Sequence, residues 1–479
     1  MKRITHKQAG QIILLLALLF LLLPSSLRAL TGNVYLMGEE PYYHVRMAQQ
    51  IVDDGIPKFD DLIFEGRNYL LNPYHVLLSL FAFPLGAVNA AKILPLILGL
   101  LSVYLFYLLL LKFKVNSWTK WVVLCVFIMS PVFIHTFNFA VPAGFILFLN
   151  FAGLFLLTRK SKASTAVSAV CFGIASLFGI MHALISAFIV FFYCFQYKKR
   201  LKKGYLVLSL IAISVLFYSF PFFLASESFD FVSRNLISSF ISDLGGCAGF
   251  SIFAVLLAIF GYVLVWKHKK KNYLLYVFSI LLIVLSFFDN SLLIYSNLVV
   301  VFLAGVSLIF FAQMKWSLSI LRDFTVLVLV CGLLFSALNA SIDLRDCQPN
   351  TSLINSLIWL KLNSDNQQVV FSHYSNGFWI EQLSGQPVVM DGLLGWTPDI
   401  NSRHFDSNQA FMADDLSVAR KIFSKYDVKY ILITKNMYEG LVWEQKGKNL
   451  DFLLTNAETF KKVHENSYVQ IYEYIYDGV

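Results

Sequence analysis

"GEEPYYHVRMAQQIVDDGIP" (38–57) follows directly on the first strongly apolar run of the chain. It sets two adjacent carboxylates, two tyrosines, a histidine and an arginine at the end of what reads as a membrane-spanning segment. What such a stretch can do depends on the side of the membrane it faces, so sidedness comes first.

The chain has 479 residues, of which 58% are hydrophobic and only 14% charged. A soluble domain carries about 25% charged residues. Apolar runs near 11–30, 91–111, 119–136, 142–158, 164–180, 182–197, 205–224, 248–266, 273–288, 291–312 and 317–338 read as eleven transmembrane helices. Each approaches the length of about 20 residues that crosses a bilayer, and only a helix satisfies its own backbone in lipid. The first run, behind "MKRITHK", has no small-x-small cleavage site and reads as an uncleaved signal anchor.

With the N-terminus placed in the cytoplasm, the cytoplasmic loops hold nineteen Lys and Arg and no Asp or Glu. The opposite loops hold Glu39, Glu40, Asp53, Asp54, Asp60, Asp61, Glu65, Asp243 and Asp289 among others. This is the positive-inside asymmetry. The formal net charge of +9 is therefore a topology signal and not a nucleic-acid surface. The reading gives an integral plasma-membrane protein. A membrane part (1–339) carries a large first external loop (31–90), and an extracytoplasmic domain (340–479) follows. The apolar stretch 74–92 is read as a surface or membrane-dipping helix of that loop, because counting it as a crossing would put the lysine clusters outside.

In the last 140 residues the apolar runs shorten. "QQVVF", "QPVVM", "VKYILIT" and "YVQIYEYI" read as strands; "FWIEQL", "DLSVARKIFSKY" and "NLDFLLTNAETFKKV" read as helices. The alternation predicts a small α/β domain. Sequons at Asn339 and Asn350 lie near its membrane edge. The six cysteines lack metal-ligand spacing and read as apolar filler, with a Cys247–Cys347 disulfide the alternative.

Carboxylates, aromatic rings and cations in one external loop suit a phosphorylated sugar. Rings stack on sugar faces, an acid serves as base, and Arg holds phosphate. "GEEPYYHVRMA" resembles the first external loop of membrane glycosyltransferases of the GT-C fold, most of all archaeal oligosaccharyltransferase catalytic subunits, whose stretch reads like G-[ND]-[DE]-P-[YW]-[YF]-H-x-R. "ISDLGGCAGFSIF" (241–253), "SHYSNGFWIEQLSGQPVVMDG" (372–392) and "YDVKYILIT" (426–434) resemble later elements of that family in the same order. The resemblance implies that Glu40 is the catalytic acid, serving as base or as ligand to a divalent cation (Mg or Mn). Glu39 stands beside it and Asp243 is the acidic member of the later loop. It implies no organic cofactor.

Substrate contacts are then expected from Tyr42, Tyr43, His44, Arg46, Arg67 and Arg234, the arginines on phosphate. His373, Tyr374, Asn376 and Trp379 are expected at an acceptor cleft. The chain departs from the pattern where His373-Tyr374-Ser375 replaces Trp-Trp-Asp, and where "SPVFIHTFNFAVPAG" (130–144) lacks an acidic pair. The expected reaction moves a sugar or oligosaccharide from a polyprenyl- or dolichyl-phosphate donor to a protein, lipid or glycan acceptor. A non-catalytic subunit of a glycan-assembly complex and a lipid or solute transporter remain the alternatives.

Overall fold

The computed structural model describes residues 6–196, 201–219, 240–246, 248–266, 269–444 and 447–475. The described residues fall into two compact units. One draws on Met1–Val34, Lys92–Phe223 and Val232–Asp346, the other on Tyr35–Ala91 and Cys347–Val479. The loop 31–90, counted with the membrane part on sequence grounds, thus groups almost entirely with the C-terminal residues. Arg234 and Cys247 lie outside the described residues, and with them one expected phosphate ligand and one half of the candidate disulfide.

In the first unit every apolar run carries a helix. Helix α1 spans His6–Leu30, and α4, which begins at the boundary of the units, spans Ala87–Lys112. Later helices include Ile252–Val265, Leu293–Gln313 and Ser319–Asp346. Four helices among the described residues are long and apolar enough to cross a membrane, starting at Gln8, Ala87, Asn290 and Ser319. The others are shorter. The run 119–136, for example, is cut at Ser130-Pro131 into Ser117–Ile128 and Pro131–Thr136, since proline ends the helix before it. Helix length therefore supports an integral membrane protein, but not a count of eleven crossings. Large apolar side chains such as Leu15, Phe260 and Phe335 point outward, as lipid-facing residues do. Inside the unit, polar groups pair between helices: Asn297 donates to Ser130 Oγ at 2.8 Å, and Ser186 donates to Asn150 Oδ1 at 2.9 Å.

The second unit opens with α2 (Glu40–Asp54). Pro41 suits its first turn because a proline's missing N–H has no partner there anyway. Two short strands, β1 (Phe59–Asp60) and β2 (Arg67–Asn68), form a hairpin. Helix α3 (Pro73–Leu85) follows, its start capped by Asn72 Oδ1 on the Tyr74 N–H at 2.9 Å, and it packs on α2. The C-terminal residues build a sheet of β3 (Val369–Phe371), β4 (Val428–Thr434), β5 (Phe460–Glu465) and β6 (Val469–Tyr474) in the order β3-β4-β6-β5. Strands β3 and β4 are parallel, and the remaining pairs are antiparallel. Helices Ile400–Phe411 and Leu416–Lys425 bury Phe411 and Phe423 against Phe371.

Two local expectations are corrected. "NLDFLLTNAETFKKV" is helical only over Leu450–Leu453. Asn456 Oδ1 then accepts from the Glu458 and Thr459 amides in a tight turn, and the chain leaves as β5. "QPVVM" is not a full strand: Val388 makes single bridges, to Val370 on one side and to Ile63 of the first loop on the other.

Candidate active site

The acidic turn is pinned before it begins. Gly38 sits at φ 77°, a region favourable only to glycine. Its N–H donates to the Gln348 carbonyl at 2.7 Å, and its carbonyl accepts from Trp379 Nε1 at 3.0 Å. Trp379, expected at an acceptor cleft, is buried and holds this turn. The two glutamates that follow diverge. Glu40 opens the first turn of α2 with its side chain 54% exposed, while Glu39 Oε2 is buried and has no partner among the described residues. Burial, then Glu40, then Asp391 push the Glu39 carboxyl up to about 8.

Tyr42 and Tyr43 are buried on the inner face of α2. The Tyr42 hydroxyl donates to the Leu36 carbonyl at 3.4 Å. The Tyr43 ring packs 5.3 Å from Phe378, with the Arg46 and Arg67 guanidiniums 5.6 and 5.4 Å from its centre. These are framework contacts, worth about 0.5–2 kcal/mol per cation over a ring.

The arginines expected on phosphate are spent on carboxylates. Arg46 grips Asp60 with both terminal nitrogens and reaches Glu381 at 2.7 Å. Arg67 holds Asp60 through Nε at 3.1 Å and Asp391 through Nη1 at 2.9 Å. Side-chain exposures are 10% and 5% for the arginines and at most 1% for the acids. Both guanidiniums are committed to carboxylates and largely closed to solvent. Burial alone would raise Asp60, but the two guanidiniums outweigh it and hold it near 2. For Glu381 burial wins over Arg46, and its carboxyl stays well above the ordinary range. Two cations facing three acids become neutral when Glu381 keeps its proton. A buried ion cluster of this kind adds little net stability, because desolvation offsets attraction. What it supplies is register: it ties α2 and the β1–β2 hairpin to the segment 381–391.

A second clasp lies beside it. Arg403, buried, donates to the Phe64 carbonyl at 2.9 Å and the Val389 carbonyl at 3.1 Å, and pairs with Glu65 at 3.2 Å. The Phe64 amide donates to the Val388 carbonyl at 2.8 Å and the Val388 amide to the Leu62 carbonyl at 3.1 Å. The first loop thereby continues the sheet past β3. Gly377 allows the close approach behind this clasp, since a Cβ there would lie 2.7 Å from Asp391 Cα.

His44, expected on substrate, is 4% exposed and sits between Glu40 at 3.3 Å and His75 at 2.7 Å. His373 caps its own turn through Nδ1 to the Ser375 hydroxyl at 2.8 Å, with Tyr374 packed on its ring at 4.2 Å. Asn376 is buried and donates to Ser372 Oγ at 2.9 Å. Asp243 belongs to the other unit. Its Oδ2 accepts from the Ile252 amide at 2.7 Å and Ser336 Oγ at 2.9 Å, a capping role for the helix that starts at Ile252. Asn350 is likewise committed as a cap, accepting from the Leu353 amide at 2.8 Å. Among the described residues no group of three or more His, Cys, Asp or Glu is arranged to hold a metal ion. No step below runs through a metal.

In the sequence Asp60 counts only as a loop charge, Glu381 and Asp391 have no role within 372–392, and neither Tyr69 nor His75 stands out. The available signal was charge balance: each buried arginine needs a carboxylate, and the acids of "KFDD" and "VVMDG" were the ones to assign.

Solved structures share the fold, among them these three. The Archaeoglobus fulgidus oligosaccharyltransferase AglB, in complex with an inhibitory peptide and a dolichol-phosphate, matches with a TM-score of 0.62 at 13% identity, over 90% of this chain and 70% of its own. ArnT from Cupriavidus metallidurans bound to undecaprenyl phosphate matches at 0.55 and 10% identity, over 99% of both chains. The mycobacterial arabinofuranosyltransferase AftD matches at 0.61 and 12%, over 99% of this chain and 40% of its own. No family model and no curated protein sequence matches. The fold expected from the opening motif is therefore the one found: GT-C, in a divergent chain.

Proposed function

We propose that this GT-C-fold chain is a membrane glycosyltransferase that moves a sugar from a lipid-phosphate donor to an acceptor hydroxyl, with Glu40 as general base. The observation that carries this reading is the placement of Glu40. It is the accessible acid of a turn whose neighbours, Gly38, Arg46 and Arg67, are all tied down by the C-terminal residues. A base must be held still and yet reach its substrate. Two structures of the same fold are complexes with dolichol-phosphate and undecaprenyl phosphate, which supports a donor of that class here.

In the step itself, the acceptor oxygen bonds to the anomeric carbon as its proton passes to a Glu40 oxygen. The bond from that carbon to the phosphate oxygen breaks, and the lipid phosphate leaves with the electron pair. Phosphate is a stable anion, so no acid is needed on the leaving side. Among the expected cations, Arg234 remains the candidate to meet its charge. Glu39, turned inward with its carboxyl pushed up to about 8, serves as a neutral neighbour that does not compete for the proton. Asp243 orders the start of the helix at Ile252 without touching the proton.

We read the first loop and the C-terminal residues, which hydrogen-bond to one another, as lying on one side of the membrane. The charge asymmetry of the loops supports the extracytoplasmic side. The test is transfer from polyprenyl-phosphate-linked sugars by the purified protein. Turnover that depends on Glu40 supports the reading, and absence of transfer from every lipid-phosphate donor tried overturns it.

A further inference from the structure

Glu40 and His44 lie one turn apart on α2, and His44 Nε2 is 3.3 Å from Glu40 Oε1. The other ring nitrogen, Nδ1, is 2.7 Å from His75 Nε2, and His75 Nδ1 is 2.7 Å from the Tyr69 hydroxyl. Four groups thus form one unbroken chain. It runs from the exposed carboxylate through imidazoles at 4% and 1% exposure to the half-buried tyrosine. Tyr69 precedes α3 and His75 lies in its first turn, so the packing of α3 on α2 is what closes the chain.

Its polarity follows from the donors available. A carboxylate only accepts, so His44 Nε2 carries its hydrogen. A neutral imidazole has one donor and one acceptor. His44 Nδ1 therefore accepts from His75 Nε2–H, and His75 Nδ1 accepts from the Tyr69 hydroxyl. Every hydrogen points the same way, towards Glu40. The opposite polarity needs a doubly protonated His44, a cation enclosed by the Tyr43, Tyr74 and His75 rings at 5.5, 5.3 and 4.9 Å. Enclosing an ion in that way is costly. His75 stays neutral for the same reason: burial holds it well below the usual histidine range.

We propose that Tyr69 and His75 are positioning residues that lock the His44 ring and aim its Nε2–H at Glu40 Oε1. One oxygen of Glu40 is then fixed and the other is left for the acceptor. The functional half of this proposal rests on the reading of Glu40 as base; the hydrogen-bond chain does not. Tyr69→Phe keeps the ring that stacks on His75 at 5.7 Å and removes the first donor of the chain.

The decisive experiment is nitrogen-15 NMR of histidine-labelled full-length protein in micelles, read alongside transfer kinetics. The expected spectrum shows both rings as the neutral Nε2–H form, with a coupling through the hydrogen bond that places the shared proton on His75. In Tyr69→Phe the His75 Nδ1 resonance moves downfield as its donor is lost, and kcat falls about 10-fold with KM unchanged, the scale typical of partners acting through a first contact. A shared proton on His44 Nδ1, an imidazolium at His44, or a Tyr69→Phe variant with unchanged resonance and kcat overturns the proposal. Should Tyr69→Phe fail to fold, the wild-type spectrum still decides the polarity. The spectrum needs no substrate, so a failure of the transferase reading is separately visible as absent turnover.

Discussion

Arg67 donates to Asp391 at 2.9 Å across 324 positions of sequence, both side chains closed to solvent. This contact joins the loop before α4 and the C-terminal residues within one structural unit. Asp391→Ala leaves a buried guanidinium without half of its partners and is expected to cost about 3–5 kcal/mol. Arg67→Lys is expected to rescue little, because a point charge cannot span Asp60 and Asp391 as the fork does. Thermal unfolding in detergent measures both, and wild-type stability in Asp391→Ala would show that the contact does not hold the loop.

Gly38 is held at φ 77° by partners on both sides. Gly38→Ala forces a Cβ into that region, at about 1–2 kcal/mol. Trp379→Phe keeps the buried ring but removes the donor to the Gly38 carbonyl, at about 1 kcal/mol. Both variants are expected to lower transfer more than donor affinity, since they loosen the turn that carries Glu40. Comparing kcat with the donor KM checks this.

How much of this was legible in sequence differs from one element to the next. Apolar runs located the helices, because lipid imposes that pattern on composition. "GEEPYYHVR" pointed to the fold by resemblance, since the residues that carry the motif are contiguous; in sequence, the helix they start at Glu40 reads as a loop. The partners of Arg46 and Arg67 are not local. Asp60 lies within reach in sequence, but Glu381 and Asp391 come close only through the bridge of Val388 to Ile63. An arginine read in isolation looks like a phosphate ligand, whereas the same arginine facing two buried acids is a clamp. Strand β5 was hidden for a related reason. "FKKVHE" is an edge strand with four polar residues, and the helical pattern of the preceding "NLDFLL" ran over it.

The two acids of the site region give opposite responses to pH. The folded-state value of Glu39, about 8, lies above its ordinary 4.5. Between those values the folded protein holds a proton that the unfolded chain has released. Stability is therefore fully present below about pH 4.5 and declines as pH rises through 8. Asp60 is held near 2, below its ordinary 3.8, so its contribution is present above about pH 4 and is lost as pH falls through 2. Unfolding curves from acid to mildly alkaline pH should show the alkaline decline in wild type and its absence in Glu39→Gln. Persistence of the decline in Glu39→Gln would assign it elsewhere.

Asp61 in the first loop and Ser402 in the C-terminal residues are both exposed. Asp61→Cys and Ser402→Cys are expected to react with an impermeant thiol reagent from the same side of the membrane, the outer face of intact cells. Labelling of the two from opposite sides would be incompatible with the hydrogen bonds that join these segments.

The account stands on Glu40. The direct measurement is sugar transfer from a polyprenyl-phosphate-linked donor by purified wild type, Glu40→Gln and Glu39→Gln at matched folding. Loss of a general base costs about 10²–10⁴-fold in rate, and that is the expected fall in Glu40→Gln, with donor binding retained. Glu39→Gln is expected to lose far less, because its carboxyl points into the protein and already holds a proton. Wild-type turnover in Glu40→Gln would contradict the account.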